Sequence, residues 1–141
     1  MTDKNFHLRL NCNYKTGKNE VADLCVEIWI ENEWKKLHLS TKSPGFLLLV
    51  YGLFSCQHLY MRTNFAERNI LLESARGELQ LSAGEFWNIK KVDITFNAKI
   101  KSGSPDKADI DYIIERMGHC PVSMNIPADI DKKVTVNFEQ P

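Results

Sequence analysis

Hydrophobic and polar residues alternate along the first part of the chain. From Phe6 to Tyr14 every second side chain is apolar or aromatic, which is the pattern of a strand with one buried face. A second alternating segment runs from about Leu24 to Ile30, and a third lies near residues 34–39. Because short turn-like sequences separate the three segments, the pattern predicts an antiparallel meander.

A long segment without internal proline follows the loop sequence STKSPG. It covers about residues 46–68, and its length and composition predict a helix. The first half of this central helix, FLLLVYGLF, is apolar on every side, which indicates burial by more than one neighbour. A subunit interface is therefore a candidate for one of these neighbours.

The rest of the chain predicts two strands, a second helix and a last strand. The two strands are ILLESARGELQL and the alternating segment of residues 91–100. The second helix should cover residues 105–117, with Ser104 as its N-cap and Gly118 ending it. A short turn, PVSMNI, leads into a strand that contains Val134 and Phe138. The order βββ-α-ββ-α-β predicts an α+β fold with a largely antiparallel sheet.

Composition and charge narrow the classes of function. A chain of 141 residues with 43% hydrophobic content suits a single domain over residues 1–141. The 18 basic residues balance 18 acidic ones, so no overall field favours nucleic acid or an anionic membrane. The N-terminus lacks the layout of a secretory signal, and the longest apolar run, residues 46–54, is too short to cross a bilayer. We expect a soluble, cytoplasmic protein.

The four cysteines do not suggest a disulfide framework or a metal site. Thiols stay reduced in the cytoplasm, and no C-x-x-C spacing indicates zinc. The alternation places Cys12 on the apolar face of its strand and Cys25 on the polar face of the next, so these two should not pair. We interpret both as structural cysteines, and we expect neither a metal nor a cofactor.

Cys56 and Cys120 each allow two interpretations. Cys56 lies in the central helix, within a segment of residues 34–66 that has basic residues but no Asp or Glu. Because nearby cations lower the pKa of a thiol, Cys56 is the best candidate for a nucleophile, although an apolar environment would instead make it an ordinary core residue with a raised pKa. Cys120 follows the end of a helix and precedes Pro121, and it is either a small buried residue or half of a reactive pair. His119 is either a base for this thiol or a residue favoured by the helix end alone.

Two segments resemble the OsmC/Ohr family. The sequence SPGFLLLVYGLFSCQHLYMRTNFAERN, followed by ILLES, is similar to the helix that carries the first cysteine of that family. The sequence HCPVS is similar to the turn that carries the second cysteine, and 64 residues separate Cys56 from Cys120. The resemblance covers the chain from Pro44 onward. It implies an intertwined homodimer with the two cysteine helices buried at its centre.

The resemblance also implies a cysteine-based peroxidase, an oxidoreductase that protects against oxidative stress. Cys56 would attack a hydroperoxide, Cys120 would resolve the resulting sulfenic acid as a disulfide, and an external dithiol would reduce that disulfide. The apolar and aromatic residues around Cys56 favour organic hydroperoxides over hydrogen peroxide.

The chain departs from the family at the residues that hold the reactive thiolate. The family places an arginine in a Gly-Arg turn after the first strand, whereas this chain has KTGKNE, which leaves Lys18 as a point charge without the arginine fork. In an intertwined dimer Lys18 could come from the other chain. The family's glutamate is replaced by Gly45 or Phe46. These departures keep two alternatives open: a non-catalytic dimeric module that binds a small hydrophobic ligand, and a thiol redox sensor.

Overall fold

Six strands form one sheet, and the helices pack against one of its faces. The computed structural model describes residues 3–141. The strands follow the order β3-β2-β1-β4-β5-β6 across the sheet. In chain order the elements are β1 (Lys4–Tyr14), β2 (Val21–Ile30), β3 (Glu33–Lys36), α1 (Gly45–Glu67), β4 (Leu71–Ala83), β5 (Ile89–Ser102), α2 (Lys107–Met117), α3 (Pro121–Met124) and β6 (Asp131–Glu139).

The sheet is antiparallel between all neighbouring strands except β5 and β6, which are parallel. A parallel pair needs a crossover connection, and α2 and α3 lie within this one. The predicted α+β fold with a largely antiparallel sheet is thus confirmed, as is the order of its strands and two longer helices.

The core lies between the sheet and α1. The apolar face of β1 is buried as predicted, and Leu8, Leu10 and Cys12 are almost fully buried. From α1 the core receives one continuous stripe of side chains at helical spacing. This stripe consists of Val50, Leu53, Phe54, Met61 and Phe65.

The β1–β2 register confirms the predicted placement of two cysteines. Cys12 pairs with Leu24, and Cys25 pairs with Asn11, so the two sulfurs point to opposite faces of the sheet. The apolar face of β2 is less buried than its alternation suggests. Leu24 is 41% exposed and Ile30 is 45% exposed.

Helix α1 matches its predicted length to within one residue at each end. Its first half is not buried on every side within one chain, however, because Leu48 and Leu49 are 39% and 42% exposed. None of the helices in the described part of the chain is long and apolar enough to cross a membrane.

The predicted ends of α2 were wrong at the N-terminus. Ser104 is not the cap; the helix begins after Asp106, whose carboxylate accepts from the Asp109 N–H at 2.8 Å. The Asp109 carboxylate accepts in turn from the Asp106 N–H at 3.0 Å, a reciprocal pair that Ser104 cannot form from two residues earlier. Gly118 caps the other end as predicted, but in the right-handed conformation rather than the left-handed one that glycine usually supplies.

Residues 121–124 form the short helix α3 where a turn was predicted. Pro121 starts it, because a proline at the first helical position needs no hydrogen-bonded N–H. Cys120 is consequently a helix cap rather than part of an open turn.

Asn19 connects the β1–β2 turn to the end of α1 and the start of β4 through hydrogen bonds. It is 1% exposed and has a left-handed φ of 58°, which asparagine tolerates better than most residues. Its amide nitrogen donates to the Arg62 and Ile70 carbonyl oxygens at 3.0 and 3.1 Å. Its amide oxygen accepts from the Leu72 N–H at 2.8 Å.

We expect Asn19→Ala to lower the free energy of unfolding by about 2 kcal/mol, because it leaves buried backbone groups without partners. Urea denaturation measures this. Asn13→Ala is the matched control, since Asn13 makes its bond to Asp23 on the exposed face. Equal stability of the two variants would contradict the prediction.

Candidate thiol site

The fold brings the thiols of Cys56 and Cys120 together. Cys56 lies on α1 at the edge of the buried stripe, and Cys120 lies between α2 and α3. The Cys120 side chain is close enough to Cys56 to raise the pKa of its thiol. All four cysteines of the chain are free, so this pair is in its dithiol form.

A buried glutamine holds the two elements in place. Gln57, next to Cys56, is fully buried, and its side-chain nitrogen donates to the Met117 carbonyl oxygen at 2.7 Å. This bond ties α1 to the end of α2, three residues before Cys120. Our sequence analysis missed Gln57, although a polar residue on the buried side of an apolar helix was a visible signal.

The surroundings of Cys56 oppose ionisation. Burial, followed by the hydrogen bond and charge of Cys120, raises the pKa of the Cys56 thiol to about 11, while the backbone N–H of Val122 acts in the lowering direction. Cys56 is therefore a protonated thiol at neutral pH.

Of the two interpretations of Cys56, the apolar environment with a raised pKa agrees with the structure, and the effect of nearby basic residues does not. None of the described basic side chains contributes to the pKa of this thiol. Lys35 pairs with Glu31 at 3.1 Å, and Arg62 donates to the Asn19 carbonyl oxygen at 3.1 Å. These basic residues are close to Cys56 in sequence, but their side chains make contacts elsewhere in the fold.

Cys120 has a different environment from Cys56. It is fully buried, and its sulfur accepts a hydrogen bond from the Ser123 N–H at 3.3 Å. The Ser123 hydroxyl in turn accepts from the ammonium group of Lys132 on β6. Neither Ser123 nor Lys132 was predicted from the sequence, and nothing in the local pattern of β6 distinguishes Lys132 from its neighbours.

Lys18 and His119 lie outside this arrangement within one chain. Lys18 is exposed in the β1–β2 turn and does not contribute to the charge at Cys56. His119 is exposed and pairs with Glu115 one turn earlier, with its Nε2 atom 2.8 Å from the carboxylate. A role for Lys18 in the reaction stays a prediction.

An apolar groove of about 420 Å³ lies along α3. Val122 lines this groove, and its backbone N–H also acts in the lowering direction on the pKa of the Cys56 thiol, so the groove and the thiol are neighbours. Leu49, two helical turns before Cys56, forms another wall. The residues that line the groove are Leu49, Ile89, Pro121, Val122, Asn125, Ile126 and Pro127. Only one of these side chains is polar, so the groove suits an apolar ligand.

A second buried polar contact joins Tyr14 and His58. The Tyr14 hydroxyl and the His58 Nε2 atom are 2.7 Å apart. Burial and, secondarily, the charge of Arg62 lower the pKa of His58 to about 4. His58 is therefore neutral at physiological pH, and we interpret this pair as part of the core.

Comparison with solved structures identifies the architecture. An OsmC-like hydroperoxide resistance protein from Jannaschia sp. CCS1 superposes with a TM-score of 0.54, covering 86% of this chain and 85% of that chain at 19% sequence identity. An OsmC like protein from Mycoplasma pneumoniae gives a TM-score of 0.52, covering 82% and 88% at 12% identity. The chain has the OsmC-like fold.

A third structure extends the likeness over more of the chain. An organic hydroperoxide resistance protein from Elizabethkingia anophelis covers 92% of this chain and 96% of that one, with a TM-score of 0.50 and 13% identity. No protein-family model and no curated protein matches the sequence. The OsmC-like fold therefore includes the N-terminal meander, which carried little motif signal.

Proposed function

We propose that this OsmC-like protein is a thiol-dependent peroxidase that reduces organic hydroperoxides. Cys56 is the attacking thiol, and Cys120 resolves the oxidised product. The observation that carries the proposal is the approach of these two thiols, 64 residues apart in sequence, beside an apolar groove.

The reaction balances with the two thiols and one external reductant. The Cys56 thiolate attacks the terminal peroxide oxygen, the O–O bond breaks, and the alkoxide leaves as an alcohol after taking a proton. Cys56 is then a sulfenic acid. The Cys120 thiolate attacks its sulfur, hydroxide leaves as water after protonation, and a disulfide forms. An external dithiol reduces this disulfide and is itself oxidised.

The difference in burial supports the assignment of the two roles. Cys56 is half-buried and lies beside the groove, whereas Cys120 is fully buried. A peroxide therefore has easier access to the Cys56 sulfur than to the Cys120 sulfur. The apolar lining favours a hydroperoxide with an alkyl or aryl group, since burying such a group gains hydrophobic free energy that hydrogen peroxide does not offer.

The exposed leucines of α1 support a homodimer. Leu48, Leu49 and Leu59 are 39%, 42% and 42% exposed on a helix whose other face is in the core. A second copy of the chain would cover them, as the intertwined dimer expected from the motifs does. We propose a cytoplasmic homodimer of single-domain chains, in which Lys18 of one chain can approach Cys56 of the other.

The high pKa of Cys56 favours a second candidate, the non-catalytic module that binds a small hydrophobic ligand. A protonated thiol reacts slowly with peroxides, and an apolar groove close to it can bind a hydrophobic ligand without any reaction. A sensor without turnover would use the same pair.

Titration with cumene hydroperoxide separates these functions. At pH 9 we expect near-stoichiometric oxidant to remove two thiols per chain, and repeated cycles to need an added dithiol. Cys56→Ser should abolish the loss, whereas Cys25→Ser, on the opposite face of the sheet, should keep it. The measurement is a thiol count with mass spectrometry of the product. If both thiols stayed free at equimolar oxidant, the peroxidase proposal would fail and the binding module would be favoured.

A further inference from the structure

Lys132 and Ser123 form a polar contact behind Cys120. Lys132 lies on β6, and its ammonium group donates to the hydroxyl oxygen of Ser123 on α3. Ser123 is only 4% exposed, and its N–H donates to the Cys120 sulfur. One residue thus links a surface ammonium to a buried sulfur.

The two sulfurs of the pair therefore differ in both access and charge. Cys56 is partly exposed, and none of the described basic side chains acts on its pKa. Cys120 is closed to solvent, with a hydrogen-bond donor on its sulfur and a cation one residue away. In thiol–disulfide exchange the incoming thiolate needs an accessible sulfur, and the reaction is faster when the departing thiolate is stabilised.

We propose that Lys132 is a positioning residue that acts through Ser123 and makes Cys120 the leaving thiolate when the Cys56–Cys120 disulfide is reduced. This inference rests on the proposed function, because it concerns the step that regenerates the dithiol.

The step is a two-electron exchange with an external dithiol. One thiolate of the reductant attacks the Cys56 sulfur, the bond between the Cys56 and Cys120 sulfurs breaks, and its electron pair goes to Cys120 as a thiolate. The reductant is then joined to Cys56 by a mixed disulfide. Its second thiol attacks the reductant sulfur of this bond and releases Cys56. The reductant leaves as a cyclic disulfide, and both cysteines take up protons.

The test starts from protein oxidised with diamide, so it does not depend on peroxide chemistry. A brief reaction with glutathione, quenched with acid and analysed by peptide mass spectrometry, should place glutathione on Cys56. Reduction by dithiothreitol should be about tenfold slower in Lys132→Met, because Ser123, whose N–H donates to the leaving Cys120 sulfur, loses its charge-assisted hydrogen bond from Lys132. Lys132→Arg should keep most of the rate. Lys133→Met is the matched control, since neighbouring strand residues point to opposite faces.

Three results would overturn the inference. These are a Lys132→Met rate equal to that of Lys133→Met, glutathione mainly on Cys120, and failure of diamide to join Cys56 to Cys120. This test is distinct from the test of the proposed function. If cumene hydroperoxide did not oxidise the protein but the diamide and glutathione results were as expected, the peroxidase proposal would fail and the role of Lys132 would stand.

Discussion

Alkylation of Cys56 by iodoacetamide is expected to be slow at pH 7 and to accelerate about tenfold with each pH unit up to about pH 10, because only the thiolate reacts. Burial and the neighbouring Cys120 raise the pKa of Cys56 to about 11. The rate should therefore rise about 1000-fold between pH 7 and pH 10. Quenched time points and quantification of the Cys56 peptide by mass spectrometry measure this profile.

Cys120→Ser provides the matched variant for this profile. It removes the hydrogen bond and the charge that raise the pKa of Cys56, and serine is a preferred residue at a helix cap. The profile of Cys56 should therefore move to lower pH. If the alkylation rate of Cys56 in the protein without substitutions levelled off below pH 9, the raised pKa of Cys56 would be contradicted.

The alkaline range also affects stability, so the experiment needs a reporter of unfolding. The pKa of Cys56 rises from an ordinary 9.0 to about 11 on folding, which means that the folded chain keeps a proton that the unfolded chain loses. This contribution to stability is complete below pH 9 and is lost as the pH rises through 11. Alkylation of the buried Cys12 would reveal unfolding in the same samples.

The regular part of the fold was predictable from the sequence because burial follows a simple period. The alternation in β1 predicted both the strand and its buried face, and the alternation in β1 and β2 predicted that Cys12 and Cys25 point to opposite faces of the sheet. The cap of α2 was not predicted correctly, because Ser104 and Asp106 are both good caps and only the reciprocal bond with Asp109 decides between them.

The candidate site was predictable only in part. The two cysteine motifs selected Cys56 and Cys120, but the direction of the Cys56 pKa stayed open, because a basic segment and an apolar environment act in opposite directions. Proximity in sequence says little about where a long basic side chain ends. The contacts of Gln57 with α2 and of Lys132 with Ser123 join distant segments, so they emerge only when the chain is folded.

Acidification from pH 7 to pH 4 is expected to remove up to about 3 kcal/mol of stability through His58 alone. His58 is 4% exposed, its Nε2 atom faces the Tyr14 hydroxyl, and its ring stacks on Phe96 at 5.9 Å. Burial and then the charge of Arg62 lower its pKa from 6.5 to about 4.

Stability falls as the pH falls, because the unfolded chain binds a proton at His58 more readily than the folded chain does. Below pH 6.5 the unfolded chain takes up a proton at His58, whereas the folded chain stays neutral there until about pH 4. The contribution is therefore complete above pH 6.5 and is lost as the pH falls through 4. Urea denaturation at a series of pH values measures it.

His58→Gln isolates this contribution, because glutamine keeps an oxygen that can accept from the Tyr14 hydroxyl but does not titrate. Carboxylates lose stability in acid in both proteins, so the difference between the two denaturation series cancels them. This difference should shrink by up to about 3 kcal/mol between pH 7 and pH 4. His119→Gln, a change in the exposed pair with Glu115, controls for the substitution itself. A difference for His58→Gln that stays constant over this range would mean that His58 takes up its proton at the same pH in the folded and unfolded chains, which would contradict the lowered pKa.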